Sequence, residues 1–182
     1  MILADLQSRV RIALTNTLVE EWSLFAATTG TSHPSERTVA FHLGWYLRQT
    51  IDRAWTVDAE YDRSGMLLEE SVRLDGDDRG VPNLIVHHRG LLGPEHNLLL
   101  VHVAAAAGAD HRPDLATAQG LQRRFGYRYA LVLDLGLRAD RTDSTVAPSW
   151  QWATLEEGAV TPEPVPVYAD DVLTEIVARA TS

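Results

Sequence analysis

Residues 97–103 constrain the fold more than any other part of the chain. Leu98, Leu99, Leu100, Val101 and Val103 follow one another with only His102 between them. A run that is apolar at successive positions keeps no face for water, which predicts a central strand buried on both sides of a sheet. The turn at Gly93-Pro94-Glu95 precedes it and the small-residue stretch from Ala104 to Asp110 follows. Residues 128–135 read as a second buried strand. Between the two, residues 114–125 repeat apolar side chains at helical spacing, through Leu115, Ala118, Leu121 and Phe125.

Upstream the period is helical. Leu3, Leu6, Val10, Leu14, Leu18, Trp22 and Phe25 predict one long amphipathic helix over residues 2–28, stopped at Gly30. Such a helix either packs on its own domain or mediates self-association. A second helix is expected from residues 32–36 to about residue 53, with Pro34 in its first turn and Val39, Leu43, Tyr46 or Leu47, and Ile51 on its apolar face. The period then becomes that of a strand. Trp55, Val57, Ala59 and Tyr61 alternate with Thr56, Asp58, Glu60 and Asp62.

Residues 66–74 fit strand or helix, residues 75–80 form a turn cluster, and residues 84–88 a short strand. Trp150 and Trp152 mark an edge strand over residues 149–154. Prolines at 162, 164 and 166 predict an extended linker, followed by a short helix through Ala180. The expected organisation is one α/β domain over residues 1–160, with a mixed sheet flanked by helices, then a linker and short C-terminal helix over 161–182.

Two absences narrow the chemistry. The chain has no cysteine and no lysine, and all 16 basic residues are arginine. Thiolate catalysis, disulfides and cysteine-ligated metals are excluded, as are Schiff-base chemistry and the phosphate-binding lysine of a P-loop. A formal net charge of -9 disfavours nucleic acid unless arginines cluster. Residues 1–11 carry Asp5 and no sustained apolar core, and the apolar run ending near Asp110 is too short to span a bilayer, so a cytoplasmic protein without membrane partners is expected.

The order helix, three strands, helix, strand resembles the core of the PD-(D/E)XK nuclease superfamily, the restriction-endonuclease-like fold. The wording of the strands resembles small bacterial members: Pro82-Asn83-Leu84-Ile85-Val86-His87-His88-Arg89-Gly90, then Asn97-Leu98-Leu99-Leu100-Val101-His102-Val103-Ala104, then a strand with Tyr127 and Tyr129. The likeness covers about residues 35–136. It implies an αβββαβ core, extended here by the long N-terminal helix. It also implies metal-assisted phosphodiester hydrolysis, in which an Asp and the acidic residue of a Glu-X-Lys motif hold Mg²⁺ and the lysine helps position the nucleophile.

This chain departs at each motif position. Asn83 stands at the Asp, His102 at the acidic residue and Ala104 at the lysine. Glu36 alone stands where the helix glutamate is expected. An imidazole suits Mg²⁺ poorly, and a methyl group cannot stabilise charge. Arg89 or Arg112 is a candidate electrostatic substitute for the lysine. Pro113-Asp114 imitates the start of the motif but precedes a helix.

Other residues carry weaker signals. His87, His88, His96 and His102 lie on or beside adjacent strands, and His87, His102 and Asn83 are candidate ligands for a transition metal; the alternative is ordinary hydrogen-bonded histidine. Asp58, Glu60 and Asp62 are expected on a solvent-facing strand edge, unless Glu60 turns toward Glu36. Arg123, Arg124 and Arg128 surround Phe125, Tyr127 and Tyr129, a pattern that suits single-stranded nucleic acid or, alternatively, a helix end followed by a buried strand. No nucleophile elbow is present. The leading expectation is a catalytically degenerate nuclease-like protein, without a cofactor, serving as an interaction or regulatory module with a protein partner or a second copy. The alternatives are a divalent-metal enzyme rebuilt on Glu36, Glu60, Asn83 and His102, and a non-catalytic nucleic-acid binder.

Overall fold

A computed structural model describes residues 1–25, 34–60, 81–91, 93–106, 115–139, 144–159 and 163–165. The expected stop at Gly30, the carboxylate of Asp62, the segments 66–74 and 75–80, Arg112, Pro113-Asp114 and the C-terminal helix lie outside the described residues.

The first helical stretch is two helices rather than one: α1 (Leu3–Glu20) and α2 (Trp22–Phe25). The break falls at Glu21. The Leu24 amide donates to the Glu21 carbonyl at 2.8 Å, a tighter turn than the α-helix makes. The Glu21 carboxylate, meanwhile, accepts from the Tyr46 hydroxyl at 3.1 Å. Leu6, Val10, Ala13, Leu14 and Leu18 of α1 are buried in the domain's own core, so the helix packs intramolecularly and its apolar stripe is not left for self-association.

Helix α3 (Glu36–Thr50) starts two residues later than a first-turn Pro34 would require. Ser35 is the N-cap, its Oγ accepting from the Thr38 amide at 3.1 Å, and Pro34 stands ahead of the cap. Val39, Ala40, Leu43 and Leu47 are buried against α1 and the sheet.

The sheet comprises β1 (Thr56–Ala59), β2 (Leu84–His87), β3 (Asn97–Ala106), β4 (Tyr129–Ala139), β5 (Ser144–Thr145), β6 (Ser149–Thr154), β7 (Gly158–Ala159) and β8 (Glu163–Pro164). Its order is β1-β2-β3-β4-β6-β7, with β5 against β4 and β8 against β6. β3 and β4 run parallel, joined through α4 (Leu115–Phe125); the remaining pairs are antiparallel. β3 is central, as its apolar run requires. β6 is not an edge: β4 flanks it on one side, β7 and β8 on the other.

Register explains the layers. Leu84, Val101, Leu131 and Trp152 are paired across four strands and face α1 and α3. One residue along, Ile85, Leu100, Ala130 and Ala153 form the next row and face α4, because strand side chains alternate. The sheet is therefore mixed and covered by helices on both faces. Each fully buried leucine or valine contributes about 1.5–3 kcal/mol, so the two rows anchor the fold. Among the described residues no helix is long and apolar enough to cross a membrane.

Candidate functional site

Glu60, Asn83 and His102 lie just beyond the last rungs of the β1–β2 and β2–β3 ladders. Asn83 precedes β2. Its backbone carbonyl accepts from the Glu60 amide at 3.1 Å, and its side-chain Oδ1 accepts from the Val103 amide at 2.8 Å. The carboxamide thus joins β2 to β3 at the point where the ladder pair Leu84–Val101 ends. The oxygen that the nuclease resemblance would direct at a metal is instead engaged by the backbone of the sheet.

His102 is 3% exposed and Ala104 2%. Both follow Leu100 at even spacing and lie on the face covered by α4. Glu36 opens α3, which covers the opposite face. Glu60 follows β1 in a left-handed conformation, φ 47°, and its carboxylate accepts from Nε of Arg37, the residue after Glu36, at 2.6 Å.

A different polar cluster forms on β1 and β2. Asp58, expected to face water, is 12% exposed in its side chain. Its Oδ2 accepts from His87 Nε2 at 2.9 Å and from Arg89 Nε at 2.8 Å, and Oδ1 accepts from Arg89 Nη2. An ionised carboxylate only accepts, so His87 carries its hydrogen on Nε2. Burial pushes the Asp58 carboxyl up, but the hydrogen bonds and charges of Arg89 and His87 outweigh it and hold the group well below the usual carboxylate range. His87 Nε2 and Arg89 Nε and Nη2 thus converge on one carboxylate. Only charge complementarity between a strand aspartate and the His-Arg end of the next strand signalled this cluster; the intervening segment hid the register.

His88 stacks on Trp55, ring centroids 4.1 Å apart and planes 8° from parallel. Its Nδ1 lies 3.2 Å from His96 Nδ1, so one ring donates and the other accepts. The four strand histidines are thus divided between separate clusters. Among the described residues no group of three or more His, Asp or Glu side chains could hold a metal ion. Asn83 bound to Val103, a histidine on the α4 face and a methyl group at Ala104 do not fit Mg²⁺, which demands several oxygens in octahedral array.

The arginine and aromatic cluster is split in the same way. Phe125, Tyr127 and Tyr129 are 9%, 4% and 8% exposed, so their rings offer no platform for stacking bases. Arg123 and Arg124 occupy the last turn of α4, and Arg128 donates to the Pro94 carbonyl at 3.1 Å. These are the contacts of a helix end leading into a buried strand.

Fold and site together define a mixed α/β protein in which Asn83 bridges β2 to β3 and Asp58 pairs with His87 and Arg89. Comparison with protein-family models, curated proteins and solved structures finds no match.

Proposed function

We propose that this chain is a restriction-endonuclease-like protein whose metal-dependent site has been dismantled, and that it acts through binding as an interaction or regulatory module. The helix, three strands, helix, strand order of α3 to β4 supports the fold assignment. The observation that carries the functional reading is the 2.8 Å bond from the Val103 amide to Asn83 Oδ1. A carboxamide oxygen engaged in sheet backbone is a structural element, where the nuclease mechanism needs an anionic oxygen directed at a cation. Ala104 supplies no cation, and no lysine elsewhere can take its place.

The test is calorimetric titration of untagged protein with Mg²⁺, Mn²⁺ and Zn²⁺, alongside assays for cleavage of DNA and RNA. The expected result is no site at one ion per chain and no cleavage. One site per chain that is weakened in His102→Ala, together with metal-dependent cleavage lost in the same variant, would overturn the proposal in favour of a rebuilt enzyme.

A further inference from the structure

Helix α3 leaves two large aromatic side chains in water one turn apart. Phe41 is 58% exposed and Trp45 62%. They form one wall of a groove of about 250 Å³ whose floor and far wall are Gly44, Val57, Ala59 and Leu84. Gly44 keeps that floor low: a Cβ there would stand 2.6 Å from Leu84 Cδ1. The groove runs between α3 and β1, and β1 is the outermost strand of the sheet among the described residues.

The groove lining carries one acidic and one basic side chain, Asp58 and Arg48. Asp58 is held by Arg89 and Glu60 by Arg37, while Arg48, exposed on the groove wall, adds positive charge that neither carboxylate uses. With Asp58 paired to Arg89, the exposed guanidinium of Arg48 is the charge that this apolar groove presents to an occupant. We propose that this groove docks an extended peptide segment of a partner protein, with apolar side chains at alternate positions and an acidic residue beside them.

The chemistry selects that occupant. An extended segment lying along an edge strand gains main-chain hydrogen bonds and places every second side chain into a flanking groove. Tryptophan, phenylalanine and arginine are the residues that anchor such contacts. Nucleic acid fits less well. The floor is aliphatic and presents nothing to read a base edge, and one surplus arginine neutralises too few phosphates. The inference rests on the reading of the chain as an interaction module.

The experiment is selection of a random dodecapeptide display library on the full chain, counter-selected on Trp45→Ala. Trp45 is exposed, so this variant keeps its fold, which circular dichroism verifies. The expected peptides alternate apolar residues and include an acidic one. A synthetic representative should bind about 30-fold more weakly to Trp45→Ala, the size of an interface hot spot. Arg48→Glu should reverse the charge preference. Failure to enrich any peptide, equal binding to Trp45→Ala, or enrichment of basic peptides overturns the proposal. So does Trp45-dependent binding of oligothymidylate, or a dimer in light scattering that Trp45→Ala dissociates, which would give the groove to a second copy. Metal-dependent cleavage lost in His102→Ala would instead overturn the pseudoenzyme reading and leave the groove result standing.

Discussion

Replacing Asn83 separates a structural oxygen from a metal-binding one. In Asn83→Ala the Val103 amide loses the acceptor it now meets at 2.8 Å. Val103 is fully buried, so its N–H cannot turn to bulk water, and a buried unsatisfied donor costs about 1–3 kcal/mol. Asn83 itself is only partly buried, so some solvent reaches the gap and the lower part of that range, about 1–2 kcal/mol, is expected. With a urea dependence of about 2 kcal/mol per molar for a domain of this size, the unfolding midpoint should fall by roughly 0.5–1 M. Asn83→Asp keeps an acceptor oxygen at the same place and should remain within about 0.5 kcal/mol of the parent at neutral pH. Hydrogen exchange gives the local readout: the Val103 amide should lose protection in the alanine variant and keep it in the aspartate variant. Equal midpoints for Asn83→Ala and the parent, or an Asn83→Asp loss as large as that of Asn83→Ala, would refute the structural role and return Asn83 to the list of ligand candidates.

Asp58→Asn should cost about 2 kcal/mol at pH 7: it leaves His87 facing a weaker acceptor, while Arg89 at 61% exposure recovers part of its hydration. Because the folded state holds Asp58 below its ordinary carboxylate value, that stabilisation is fully present above about pH 4 and is lost as the pH falls further. Urea titrations at pH 7 and pH 3 should show the gap between parent and Asp58→Asn closing at the lower pH. Gly136→Ala should destabilise by more than about 2 kcal/mol in the same assay, since it combines a left-handed φ of 57° with a Cβ placed 2.4 Å from the Ala147 carbonyl oxygen. Parent-like stability of that variant would show that Gly136 does not pack against Ala147 in this left-handed conformation.

The amino-acid sequence by itself determined the buried central strands, the helix between them and the mixed sheet flanked by helices. Apolar residues at every position of 98–103 but His102 leave no side for water, and helical spacing in Leu115, Ala118, Leu121 and Phe125 allows only one buried face. Such patterns are local, and the burial of Leu98 to Val101 and of Leu121 follows them directly. The helix break at Glu21 was not legible, because the side chains that hold Glu21 belong to α3, 25 residues away in the case of Tyr46. Neither was the interior place of β6, which depends on Glu163–Pro164 returning to pair with Ser149 and Trp150.

The site divides in the same way. That Asn83, His102 and Ala104 stand on or beside two adjacent apolar strands was readable from residue identity and order. Only the tertiary structure decided what each side chain does. The β1–β2 register places Asp58 within reach of His87 and Arg89, across a segment whose length no local pattern can translate into pairing. The divergence of β2 from β3 gives the Asn83 oxygen to a backbone amide. Hydrogen bonds and ion pairs are short-ranged and directional, so their partners are fixed by which strands lie side by side, a property of the packed sheet that no stretch of the chain carries alone.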